Sequence, residues 1–277
     1  MWALWLGVAA LACSGLFAIL LVLARTPGIG DLLPVGDFFR VALVAHVDLS
    51  VLVWFIASAG MLWSLIGPQF LRSSGWHIFA LGLAATLLIA LAPFLDSGGA
   101  IMANYVPLVD STPFLYGLVL IALALLVLAV PTLFGLVRIG DLNSGATTLR
   151  FGLIAAAGTA VIALVLLVWS WVEIPANLNR DLYFETLFWG PGHVLQFTWT
   201  LLMLVSWLWL ASLVGARVPL SPRVATLFLG LCLFAALIAP LIYSQLVSAT
   251  VLGVLVFGDW PDGWSLLGLV LIALSGI

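Results

Sequence analysis

The 277-residue sequence contains three histidines. Two of them lie inside long apolar runs, His46 in FRVALVAHVDLSVLVWF and His193 in FWGPGHVLQF. A neutral imidazole presents one nitrogen lone pair, which suits zinc, copper or iron. The other ionisable side chains buried in such runs are Asp48 and Glu173. Each group of this kind opposes membrane insertion by about 2.5–3.5 kcal/mol, so the few that occur mark candidate sites. Metal or heme ligation and proton handling are the chemistries this set could support.

The faces around the two histidines sharpen the choice. At about 100° per residue, His46 aligns with Ser50, Val53, Ala57, Gly60 and Ser64. Mostly small side chains below an imidazole would leave room for a flat porphyrin. Close helix–helix packing explains the same stripe equally well. His193 aligns with Trp189, Gln196, Phe197 and Thr200, where Gln196 and Thr200 would offer a polar path below the ring. Gly190, Pro191 and Gly192 are expected to loosen the first turn there. A histidine merely hydrogen-bonded to a neighbouring helix is the competing reading.

Asp48 lies about 200° around the helix from His46 and is off the ligand face. It would bond a neighbouring span or a water chain. Glu173 closes its apolar run, as an interfacial acid or at the rim of a site. Arg40 is one turn from Asp37 and would pair with it locally, or meet an anionic propionate above His46. His77, beside Trp76, reads as an interfacial anchor.

The elements that position these residues are membrane spans. Hydrophobic residues make up 65% of the chain and charged residues 7%, against about a quarter charged in soluble domains. All eight basic residues are arginine, which excludes a P-loop lysine and a lysine Schiff base. A net charge of −3 without a basic patch argues against nucleic acid as a partner. Cys13 and Cys232 lie apart in apolar runs and read as packing thiols.

A bilayer core needs roughly 20 apolar residues per helix. Runs at about 2–24, 38–66, 76–95, 114–137, 149–173, 187–214, 223–256 and 264–277 predict an all-α, polytopic transmembrane helix bundle of about eight spans. The first run lacks a basic leader and reads as a span rather than a cleaved signal. The last run is too short to cross, so the single transmembrane domain over 1–277 is expected to continue beyond Ile277. Arg72, Arg138, Arg150, Arg217 and Arg223 face a single acid, Asp141, in alternate loops, which predicts those loops and the N-terminus to be cytoplasmic. On that topology His46 and His193 share nearly the same depth, and the loops LDSGGAIMANYVPLVDSTPF and EIPANLNRDLYFET would pack as lids.

A histidine on the second span and one on the sixth, in the outer half of such a bundle, resemble the catalytic subunit of the heme-copper oxidases. HVDLSVLVWF is most similar to the short oxidases and the related nitric oxide reductases, and WGPGH resembles the sixth-span tryptophan-glycine-histidine signature. The resemblance implies that His46 is an axial ligand of a low-spin heme, b-type, with Ser50 and Gly60 beside it and Arg40 at a propionate. It implies that His193 binds a second metal, copper or non-heme iron. Tyr243 stands on span 7, where short oxidases supply a tyrosine; Phe197 replaces the one other members carry. The family's adjacent span-7 histidines have no counterpart in APLIYSQLVSATVLG, and its remaining heme ligands would fall beyond Ile277.

The implied activity is that of cytochrome c oxidase subunit I: respiratory-chain electron transfer from cytochrome c or quinol through heme to oxygen. The implied setting is the inner (cytoplasmic) membrane, among lipid and other oxidase subunits. Two alternatives stay open. One is a heme-binding relative, nitric oxide reductase-like or gas-responsive, that does not reduce oxygen. The other is an unrelated transporter whose cavity is lined by Asp48, Glu173 and the histidines.

Overall fold

A computed structural model describes residues 1–28, 37–67, 71, 73–95, 98–134, 143–216 and 220–257, with 242–257 described by backbone alone. The expected run at 264–277 lies outside the described residues. The fold is all-α: among the described residues, seven helices are long and apolar enough to cross a membrane. The chain is a multi-pass membrane protein. It divides into two compact units, Met1–Gly135 and Leu136–Ile277.

In the first unit, α1 (Trp2–Ala24) is followed by a span of two α-helices, α2 (Phe38–Asp48) and α3 (Trp54–Ile66), joined by a π-helical turn at Leu49–Val53. Then come α4 (Gly75–Leu95), a hairpin of β1 (Ala100–Ile101) and β2 (Leu108–Val109), and α5 (Thr112–Phe134). Lipid is as apolar as leucine, so these helices are held by close contact rather than by escape from water. Glycines supply the closeness. A Cβ on Gly60 would stand 2.7 Å from the Trp2 ring and 3.3 Å from Leu128, and one on Gly82 would stand 2.6 Å from Leu6. Trp2 also fills the notch at Gly75.

The order of contacts gives the helix directions. Trp2 meets Gly75, Leu6 meets Gly82 and Phe17 meets Phe94, so α1 runs parallel to α4. Gly7 meets Ala57, Ser14 meets His46 and Arg25 lies over Phe39, so α1 runs antiparallel to α2 and α3. The loop after α4 does pack as a lid. Its strands pair Ala100 with Val109 and Ile101 with Leu108, and they lie against α2 with Leu108 and Val109 buried.

The second unit holds α6 (Gly145–Glu173), α7 (Arg180–Leu213) and α8 (Pro222–Phe257). Thr159 meets Thr198 while Gly152 meets Val205, so α6 and α7 are antiparallel; Thr148 meets Thr226 and Gly152 meets Leu229, so α6 and α8 are parallel. Helix α7 begins seven residues before its apolar run, at Arg180 rather than 187. The reason is local: the Asn179 side chain accepts the Leu182 N–H at 2.8 Å, and Asp181 sits in the first turn. The second half of the other expected lid, RDLYFET in EIPANLNRDLYFET, is therefore helix.

Replacing Gly60 by valine is expected to displace Trp2 and destabilise the first unit by about 1–3 kcal/mol, the usual scale of overpacking. Gly15→Ala is the control, because nothing lies within 4 Å of its added Cβ. Thermal unfolding in detergent followed by tryptophan fluorescence reads both: Gly60→Val melts lower and Gly15→Ala melts at or above the parent.

Candidate functional site

His46 sits in the last turn of α2, half-buried. Its Nδ1 lies 2.9 Å from the Ser14 carbonyl oxygen and 2.9 Å from Ser14 Oγ. A carbonyl can only accept, so Nδ1 carries the hydrogen. In the neutral ring Nε2 then keeps the lone pair. Among the described residues Nε2 has no hydrogen-bond partner. The serine answers in kind, with Ser14 Oγ donating to the His46 carbonyl at 3.1 Å. Ring and backbone of His46 are both tied to α1. Ser14 was missed by sequence reasoning because α1 carries no charge or motif there, and only the helix directions bring residue 14 to residue 46.

The small-residue stripe below His46 does not form the expected slot. Val53, Ala57 and Gly60 are buried, Ala57 against Gly7 and Gly60 against Trp2 and Leu128. That face is the seam with α1, so Gly60 is a packing residue and no macrocycle fits beside it. Ser50 turns its hydroxyl back on its own helix, to the His46 carbonyl at 2.8 Å and the Val47 carbonyl at 3.2 Å. His46 itself is half-buried, and its Nε2 lone pair is the one feature of this face that could serve a ligand.

Asp48 is 2% exposed, and its Oδ2 has no hydrogen-bond partner among the described residues. The π-helical turn follows it immediately, a rare geometry that favours functional segments. Periodicity could not reveal that turn, since one extra residue in a turn leaves an apolar run looking unbroken. Arg40 takes the local option: its Nε lies 3.8 Å from Asp37, and both side chains are exposed. His77 is exposed in the first turn of α4 next to the exposed Trp76, as an interfacial anchor would be.

In the second unit His193 is 8% exposed within α7. Its Nδ1–H donates to the Trp189 carbonyl at 2.8 Å, and the two rings are 4.2 Å apart. The tautomer logic used for His46 again puts the lone pair on Nε2. The Gly-Pro-Gly segment does not loosen a first turn, because helix α7 has already run ten residues before Gly190. Pro191 instead withholds an N–H from within the helix. Gln196 and Thr200 are half-buried on α7, while the fully buried hydroxyl is Thr198, which pairs with Thr159 at 2.8 Å. Glu173 is exposed as the last residue of α6. The Tyr243 side chain lies outside the described residues.

Among the described residues no group of three or more His, Cys, Asp and Glu side chains could hold a metal ion. Among the described residues His193 stands without a second and third ligand of that kind.

Two relatives share much of the sequence. An uncharacterized protein of Rickettsia prowazekii is 28% identical in an alignment 241 positions long that covers 76% of this chain and 46% of the relative. An uncharacterized protein of Aquifex aeolicus is 30% identical in an alignment 242 positions long that covers 82% of this chain and 60% of the relative. The chain thus spans about half the length of the curated relatives it matches. No family model and no solved structure matches it.

The Thr159–Thr198 pair makes a clean measurement possible. A double-mutant cycle with Thr159→Val and Thr198→Val is expected to give a coupling of roughly 0.6 kcal/mol, as for other interhelical hydrogen bonds in membranes, read by unfolding in detergent.

Proposed function

We propose that this chain is a membrane oxidoreductase of the heme-copper oxidase type, akin to cytochrome c oxidase subunit I. In this reading it sits in the inner membrane and passes electrons through a heme held by His46. One observation carries the reading: His46, half-buried, has its Nδ1–H fixed on a backbone carbonyl of another helix, which leaves the lone pair on Nε2. An Nδ1–H bonded to a carbonyl is the arrangement that orients a ligating histidine and raises its basicity. The heme would supply a one-electron centre. The chain's part is to hold the imidazole at a set angle, keep water away and provide an apolar surround. Cytochrome c or quinol would be the donor, oxygen the acceptor, and further oxidase subunits the partners.

A second reading is favoured by the donor set. The sequence has three histidines, and His77 is the exposed anchor at the start of α4. A second-metal centre built from three histidines of this chain would have to include it. A heme protein that relays electrons or responds to a gas without reducing oxygen needs His46 as a heme ligand and no second-metal centre.

The visible spectrum of the full-length protein from heme-replete cells tests both. Soret and alpha bands are expected in the parent and are expected to vanish in His46→Ala. A colourless parent rules out heme altogether and returns the chain to a transport role. Metal analysis divides the two readings: copper or non-heme iron that is present in the parent and lost in His193→Ala supports the oxidase, whereas unchanged metal content supports the heme-only relative.

A further inference from the structure

We infer that Ser50 is a positioning residue for His46, a role that rests on the ligand function proposed for that histidine. The hydrogen bonds close a ring between two helices. His46 Nδ1–H donates to the Ser14 carbonyl (2.9 Å), and Ser14 Oγ donates to the His46 carbonyl (3.1 Å). Ser50 Oγ donates to that same His46 carbonyl at 2.8 Å and reaches the Val47 carbonyl at 3.2 Å. The backbone oxygen of His46 is thus the point where hydroxyls from α1 and from the π-helical turn converge.

The location gives this convergence its effect. Ser50 is the second residue of the π-helical turn Leu49–Val53, and His46 lies in the last turn of the α-helical stretch just before it. A π turn has more residues per turn than the α-helix on either side, so the junction sets the rotation of α2 relative to α3. The Ser50 hydroxyl splints that junction from the π side to the α side. Holding the backbone of His46 in rotation holds its ring against Ser14, and so sets the direction in which Nε2 points. Other serines and threonines here also bond back to their own helix, such as Thr86 to Gly82 and Ser64 to Met61. Neither of these two bonds touches a histidine or a second helix.

The test compares Ser50→Ala, Ser50→Thr and Ser64→Ala in the full chain, reduced, in detergent. The main readout is hydrogen exchange of the His46 Nδ1 proton by nitrogen-edited nuclear magnetic resonance, assigned by its absence in His46→Ala. That proton is present whether or not Nε2 binds iron. Ser50→Ala is expected to speed its exchange about tenfold, the scale of one lost hydrogen bond. Ser50→Thr restores the slow rate, and Ser64→Ala leaves it unchanged. Exchange in Ser50→Ala at the parent rate overturns the inference, as does equal acceleration in Ser64→Ala. The thermal midpoint of each variant is measured alongside, and a Ser50→Ala protein too unstable to study passes the decision to Ser50→Gly and Ser50→Cys. Heme bands are recorded on the same samples: a parent without them removes the ligand role of His46, while the exchange rates still judge whether Ser50 holds the ring.

Discussion

The first unit depends on how deeply α1 can enter the groove made by α3 and α4. No hydrophobic gain separates protein from lipid tail in a bilayer, so the depth of contact decides which helices stay together. Glycines at 60, 75 and 82 admit Trp2 and Leu6 to within van der Waals range of the neighbouring backbones. That approach near the start of α1 fixes its register along its whole length. Ser14 reaches His46, Phe17 reaches Phe94, and Arg25 reaches Phe39 in consequence. The candidate ligand is held in place by packing at the far end of the helix that touches it.

Span positions were legible in the sequence because the membrane imposes a length on every apolar run. The bounds of α1 and of the 38–66 span agree with the hydropathy reading to the residue. The start of α7 did not, since Asn179 and Asp181 extend the helix beyond its apolar part through hydrogen bonding that hydropathy cannot register. The π turn at Leu49–Val53 was invisible for a related reason: every residue in LSVLV suits an α-helix, and the insertion is a property of geometry rather than composition.

The candidate site was only half legible. Sequence flagged His46, His193 and Asp48, because an ionisable group inside an apolar run is conspicuous. It could not show that the small-residue stripe under His46 is a helix seam, since close packing and a cofactor slot require the same residue sizes. Nor could it find Ser14 or Thr198, which look like ordinary helix serines and threonines until a second helix is placed beside them. Pairing across helices is where single-sequence periodicity ends, because it describes one face at a time.

The hairpin that follows α4 carries a consequence for any charge that resides on α2. Leu108 and Val109 are fully buried where the strands lie against that helix, so the part of α2 beneath them is covered by apolar side chains. Counter-ions quench fields only where they can approach, and in a poorly polarisable surround the Coulomb interaction reaches much farther than in solution. A charge on the covered part of α2 would therefore be felt farther than one on its exposed part, where the Arg40 side chain lies.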